Sequence, residues 1–303
     1  MKSWRRPTVK QYNVYLDKYV RFCIRKDLDP LDHDVNKCLL FLNYMYNKKY
    51  SYSAINTARS ALSCIFDSPP IGDNILIKRF LRAVFNERPN LPKYSRTWDV
   101  SIVLKHLESC SPGKCLNLLQ LSQKLATLIA LTTGQRAQTL KALDIDHAEF
   151  SATSVKFHIT TLLKHNTQQN KSITKVTLVA YPNNKKLCAV TYLKQYIERT
   201  KPLRKDNILF IGSHKPHKPV SSSTISRWIK STLHKAGIDT TYYSGHSTRA
   251  ASTSAAAASN EVDLNTIMKA ASWVRASTFA TYYKKEVHDT SLDFARAVLH
   301  QAK

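Results

Sequence analysis

Four short stretches carry side chains that could together act on a phosphate ester. In "LTTGQRAQTL", Gly134 stands two residues before Arg136 at the junction of two helical patterns. Lys164 sits in "TTLLKHNT", between two β-rich segments. "GHSTRAAS" sets His246 and Arg249 three apart, hence on one face of a helix. "ASWVRASTFATYYKKEV" (residues 271–287) brings Trp273 and the adjacent phenols Tyr282 and Tyr283. A planar guanidinium grips phosphate oxygens with two parallel donors, which lysine cannot do. Histidine and lysine can move protons, and a phenolate can attack phosphorus to give a covalent intermediate. Taken singly, each stretch has a plainer reading: an arginine near a helix start is usually a solvated face, a tryptophan is usually core, and a tyrosine on an amphipathic helix usually packs.

The rest of the composition narrows the chemistry. Six glycines in 303 residues leave no glycine-rich phosphate loop. Acidic residues are scarce and not paired at ligand spacing, which argues against a two-metal nuclease or polymerase. Phosphoryl chemistry here would therefore be driven by cationic side chains, with neither metal nor cofactor. Lys and Arg total 46 against 21 Asp and Glu, a formal charge of +25, which calls for a polyanionic partner. Nucleic acid fits better than a membrane surface, because no basic amphipathic helix dominates. The six cysteines lack paired spacing and read as reduced and structural, fitting an intracellular protein, nuclear or cytoplasmic. "MKSWRRPTVK" has no apolar signal-peptide core, and no run is long enough to span a membrane.

The elements that must position these residues are mostly helical. "TVKQYNVYLDKYVRFCIRK" carries Val9, Tyr12, Tyr15, Leu16, Tyr19 and Phe22 at three- and four-residue steps. "DVNKCLLFLNYMYNKK" opens on Asp34 as an N-cap, and "SYSAINTARSALSCIF" on a serine cap with Ile55, Ala58, Leu62 and Ile65 in phase. "ILIKRFLRAVFNERP" makes a fourth helix. The segment "RPNLPKYSRTWD" (residues 88–99), with two prolines and three basic residues, reads as a linker. Beyond it come helices in "SIVLKHLES" and "CLNLLQLSQKLATLIALTTG". Residues 151–160 alternate and residues 172–181 are rich in β-branched types, which reads as two strands of a hairpin with a long basic tip. The remainder is helical, ending in the amphipathic "SLDFARAVLHQAK". The expectation is a mainly α fold with a small β-sheet: a helical domain over 1–90, a basic linker over 91–100, and an α+β domain over 101–303.

In this order, Arg, Lys on a hairpin, His-x-x-Arg, Trp and Tyr resemble the catalytic set of the tyrosine recombinases, the phage-integrase family. The texture of "TTGQRAQTL", "FHITTLLKHN", "HSTRAASTSAAA" and "WVRASTFATYY" looks like the DIRS-like retroelement recombinases and their integrase-like relatives. The motif resemblance covers the chain from about Ser101 onward; the N-terminal helices are similar in kind to the family's core-binding domain. It implies a site-specific recombinase that cleaves and rejoins double-stranded DNA through a 3′-phosphotyrosyl link, with neither metal nor ATP. Arg136 and Arg249 would grip the non-bridging oxygens, His246 would take the phenolic proton, and Lys164 would protonate the leaving 5′-oxygen. Trp273 stands where relatives carry His or Trp; its indole can donate one hydrogen bond but cannot shuttle protons. The family's C-terminal segment implies a homotetramer on synapsed DNA, here through the last helix. One departure is Thr139, where many relatives carry an acidic residue three after the first arginine, so support for Arg136 must come from elsewhere.

Neighbouring helical residues point ~100° apart, so only one phenol can face the phosphorus. The usual spacing of about nine residues from the His/Trp position selects Tyr282. The DIRS-like pattern, T-F-x-x-aromatic-Tyr, selects Tyr283, and the closer resemblance favours Tyr283. Two other functions fit the same residues: a domesticated DNA-binding protein that keeps the clamp without catalysis, and a type IB topoisomerase that nicks and closes as a monomer. Lys93, Arg96, Lys215 and Lys218 are candidate DNA contacts on charge alone. Such phosphate contacts carry no base specificity.

Overall fold

In the computed structural model, described residues are 4–66, 70–90, 94–110, 112–161, 163, 174–259, 261–273, 276–283, 285 and 299. The chain divides into two compact units, Met1–Pro92 and Lys93–Lys303. As the patterning anticipates, it is mostly helical with one small antiparallel sheet.

The first unit is built from α1 (Arg6–Arg25), α2 (Val35–Asn47), α3 (Tyr52–Leu62) and α4 (Ile75–Glu87). Its helices begin where the sequence supplies caps: the Asp34 carboxylate accepts from Asn36 N–H, and the Ser51 hydroxyl accepts from Ala54 N–H. The apolar stripe of α1 buries Tyr19 and Phe22 against Phe41 and Leu42 of α2 and Ile55 and Leu62 of α3. Arg88, at the C-cap of α4, donates to the carbonyls of Tyr46 (3.0 Å) and Tyr50 (3.1 Å).

The second unit is organised on α6 (Leu118–Thr133), which opens with a capping box between Asn117 and Gln120, each bond 2.9 Å. Leu121, Leu125, Leu128 and Ile129 are fully buried. Around α6 pack α8 (Ala189–Thr200), α9 (Ser222–Lys235) and α10 (Ser247–Ala258). Smaller helices are α5 (Val100–Ser109), α7 (Ala137–Lys141), α11 (Leu264–Ala270) and α12 (Ala276–Tyr282).

The sheet has order β1 (Ala148–Phe150), β2 (Ser154–Ile159), β3 (Thr174–Val179), antiparallel throughout. Phe157 pairs with Val176, and Val155, Phe157 and Ile159 all turn inward. Alternation marks β2 and β-branched composition marks β3; β1 is an addition, because three half-exposed residues are too few to alternate. The stretch read as a linker is fastened at both ends, since Arg88 is bonded into the first unit and Trp98 is buried in the core of the second. All six cysteines are free thiols; Cys115 is exposed, which corrects its reading as a structural residue. Among the described residues, no helix is long and apolar enough to cross a membrane.

One buried charge stands apart from the site residues. Lys124, on α6 and 2% exposed, donates to the carbonyls of Leu107 (2.6 Å) and Cys110 (3.1 Å) at the end of α5. It also reaches the Tyr192 hydroxyl at 2.8 Å. Burial pushes its ammonium from 10.5 down to about 8. Because the folded pKa lies below the unfolded one, the unfolded chain binds more protons between about pH 8 and 10.5, and stability rises with pH across that window. Urea midpoints of the full-length protein are expected to carry this upward contribution, at most ~1.4 kcal/mol per pH unit. Lys124→Met is expected to lose that slope and to be less stable at pH 7 by ~1–3 kcal/mol, through its unpaired carbonyls.

Candidate active site

The site grows from the end of α6. Gly134 ends that helix in the left-handed conformation (φ 60°), where a side chain would be strained. The chain then turns through Gln135 into Arg136, the N-cap of α7. Thr139 N–H and Leu140 N–H both close on the Arg136 carbonyl, at 2.8 and 3.1 Å. The Gln135 side-chain amide donates to the Ala270 carbonyl (2.6 Å) and the Ser272 hydroxyl (3.1 Å). Among the described residues the backbone around Arg136 is thus pinned without a carboxylate, and Thr139 is buried in α7. Among the described residues the Arg136 guanidinium has no hydrogen bond or ion pair of its own, and it lines an open cavity of about 300 Å³. Gln135, Ser222, Ser223, Gly245, His246 and Arg249 line it too.

Arg249, on the first turn of α10, is only 1% exposed. Its Nη1 donates to the Gly134 carbonyl at 2.6 Å and its Nη2 to the Ala271 carbonyl. The guanidinium lies over the Trp273 ring at 4.4 Å and near the Tyr283 ring at 5.3 Å. Burial first, then the like charge of Arg136, lowers its proton affinity, while Tyr283 raises it. Two buried donors here have no acceptor among the described residues, Arg249 Nε and Trp273 Nε1.

The phenol completes the cluster. Tyr283 lies just past the end of α12, its N–H bonded to Phe279 O at 2.9 Å. Its ring packs on Trp273 at 4.6 Å, and its hydroxyl lies 3.4 Å from His246 Nε2. Ser254 clamps the backbone here: its hydroxyl donates to Tyr283 O (2.7 Å) and accepts from Lys285 N–H (2.9 Å).

Of the residues singled out by sequence, the fold therefore gathers Arg136, His246, Arg249, Trp273 and Tyr283. Lys164, Lys93, the Tyr282 side chain and all of the terminal helix but the exposed Leu299 lie outside the described residues. Arg96, Lys215 and Lys218 are exposed and take no part in the cluster. Sequence reasoning missed Gln135 and Ser254. Both act on backbone groups far away in the chain, and neither residue type nor spacing announces that. Among the described residues, no three His, Cys, Asp or Glu side chains gather as metal ligands.

A model of the phage integrase family matches residues 103–288. The chain belongs to that family. Among solved structures it resembles the XerH site-specific recombinase in a post-cleavage complex with palindromic difH substrate (TM-score 0.64, 15% identity), covering 96% of this chain and 80% of that one. It also resembles the Tn1549 transposon integrase with transposon right-end DNA (0.62, 15% identity; 99% and 94%) and a λ integrase dimer on a COC′ core site (0.57, 14% identity; 95% and 74%). At such identities the likeness is one of fold. No curated protein matches the chain.

Ser254→Ala is expected to destabilise the protein by ~1–3 kcal/mol, since Tyr283 O and Lys285 N–H both lose their partner. Urea unfolding of the full-length variant measures this.

Proposed function

We propose that the protein is a tyrosine recombinase that cleaves and rejoins double-stranded DNA through Tyr283. The observation that carries this reading is the convergence of donors that lack an acceptor among the described residues. Arg136, Arg249 Nε and Trp273 Nε1 come together beside a phenol, and two of the three are buried. A buried unpaired donor costs ~1–3 kcal/mol, and a phosphate oxygen supplies the acceptor each one lacks. The relatives of known structure support a DNA partner: XerH and the Tn1549 integrase were captured with DNA, and a λ integrase tetramer on a Holliday junction.

In this mechanism Tyr283 gives its proton to His246, 3.4 Å away. The phenolate oxygen bonds to phosphorus as the bond to the 5′-oxygen breaks. Lys164 donates a proton to that leaving oxygen. Arg136 and Arg249 hold the non-bridging oxygens as charge spreads over them, and the Trp273 N–H adds one further donor. The 3′-phosphotyrosyl ester keeps the phosphate activated, so attack by a 5′-hydroxyl religates without ATP. Cationic side chains occupy the role that metal ions take elsewhere.

The finer parts of the reading belong to the same proposal. The first unit serves as a core-binding domain on DNA, with Lys93, Arg96, Lys215 and Lys218 as phosphate contacts. Four protomers assemble on synapsed duplexes through the terminal helix. The motif texture resembles that of the DIRS-like recombinases of transposable elements, and by that likeness the protein would act in the nucleus if the host is a eukaryote. Thr139 favours one second reading, a domesticated DNA-binding protein that no longer cuts.

A nicked suicide duplex separates the two. Wild type is expected to form a covalent protein–DNA adduct in the presence of EDTA. Tyr283→Phe should abolish it, Tyr282→Phe should keep it, and Arg136→Ala should slow it ~10²–10³-fold. Salt-sensitive binding with no adduct from any variant would leave only the non-catalytic reading.

A further inference from the structure

His246 sits at the N-cap of α10 and makes no capping bond with its side chain. What holds its turn is a set of contacts from two sides. On one side the turn lies directly on α9: a Cβ at Gly245 would come within 2.5 Å of the Ser226 carbonyl, so only glycine allows this approach. On the other side lies the segment 94–98. There the buried Trp98 indole N–H donates to Ser247 Oγ at 2.9 Å. Ser247 is fully buried, and it donates in turn to Ser244 O through both its hydroxyl (2.7 Å) and its N–H (2.9 Å). The Tyr243 hydroxyl donates to Arg96 O at 3.4 Å, and the Tyr94 ring packs on Tyr243 (5.4 Å) and Tyr242 (6.0 Å).

We infer that Trp98 is a positioning residue for His246, acting through the Ser247 hydroxyl. This rests on the proposed reading of His246 as the proton acceptor. The Ser247 proton is committed to Ser244 O and the indole N–H occupies one of the two lone pairs of Ser247 Oγ, so donor and acceptor together fix the hydroxyl's orientation and lock the turn around it. The lock matters because the His246–Tyr283 contact, at 3.4 Å, is already longer than the ~2.6–3.2 Å that proton transfer uses. A small outward movement of the turn breaks it. Arg249, three residues further on, is anchored separately on Gly134 O and Ala271 O. Loosening the turn therefore impairs proton transfer while the grip on phosphate persists.

Trp98→Phe removes the N–H and keeps most of the ring; Ser247→Ala removes the bridge. Both are tested in the full-length protein, alone and together. Single-turnover cleavage of a nicked duplex is expected to fall about tenfold in each, and no further in the double variant, as for groups acting as a unit. Duplex affinity should stay within about twofold. Independently of activity, the histidine signals are titrated by NMR in protein without DNA, with His246 assigned through His246→Gln. The His246 titration midpoint is expected to move in both variants while the other histidines keep theirs. An unmoved His246 midpoint overturns the inference, as does a rate loss matched by loss of affinity. If wild type forms no adduct, the functional reading falls, and the titration by itself decides whether Trp98 sets the environment of His246.

Discussion

The second unit has to bury a guanidinium with no carboxylate beside it among the described residues. Taking Arg249 out of water costs several kcal/mol that only well-placed partners offset. Here the partners are two main-chain carbonyls, Gly134 O and Ala271 O, and the faces of two aromatic rings. Charge-assisted bonds to carbonyls are each worth ~1.5–3 kcal/mol, and they leave the cation its full formal charge. A carboxylate would have neutralised it. To reach both carbonyls at once, the α6–α7 junction, the start of α10 and the turn after α11 must converge. Arg136, Trp273 and Tyr283 gather around Arg249 as a consequence of that convergence. The Gln135 side chain ties the same junction to the same turn.

His246 is placed by different means. Its turn depends on the close approach of Gly245 to α9 and on the bond from Trp98. The proposed anion grip and the proposed proton acceptor thus rest on separate supports within one helix start. Ser254 supplies a third, holding the main chain at Tyr283. Such separation allows one function to be weakened without the other, which is how the roles can be told apart by substitution.

Much of this was legible in the sequence. Helices followed from apolar spacing and from caps such as Asp34 and Ser51, β2 from alternation and β3 from its β-branched residues. The clustered residues were readable as types suited to phosphate chemistry, and their order along the chain matched a known family. The supporting contacts were not readable. Ser254 bonds to main-chain groups and Gln135 to a main-chain carbonyl and a distant serine hydroxyl, and neither residue type nor spacing marks such partners. Residues 94–98 have the proline- and arginine-rich context of a tether, yet Trp98 is fixed by a serine at the start of α10, and composition carries no record of a partner so distant. Thr139 raised a question about Arg136 that residue types could not answer. The answer lies in backbone bonds to the Arg136 carbonyl and in the Gln135 side chain.

The central claim is electrostatic: cationic side chains neutralise a scissile phosphate beside Tyr283. Arg136→Ala tests it most directly, because the Arg136 side chain has no internal partner among the described residues and its loss should leave the fold intact. Its cleavage rate is measured on a duplex carrying either the natural phosphate or a neutral methylphosphonate at the scissile position. With the phosphate, the variant is expected to lag wild type by ~10²–10³-fold; with the neutral group, the gap should shrink to tenfold or less. An equal deficit on both duplexes would contradict charge neutralisation as the work of this pocket.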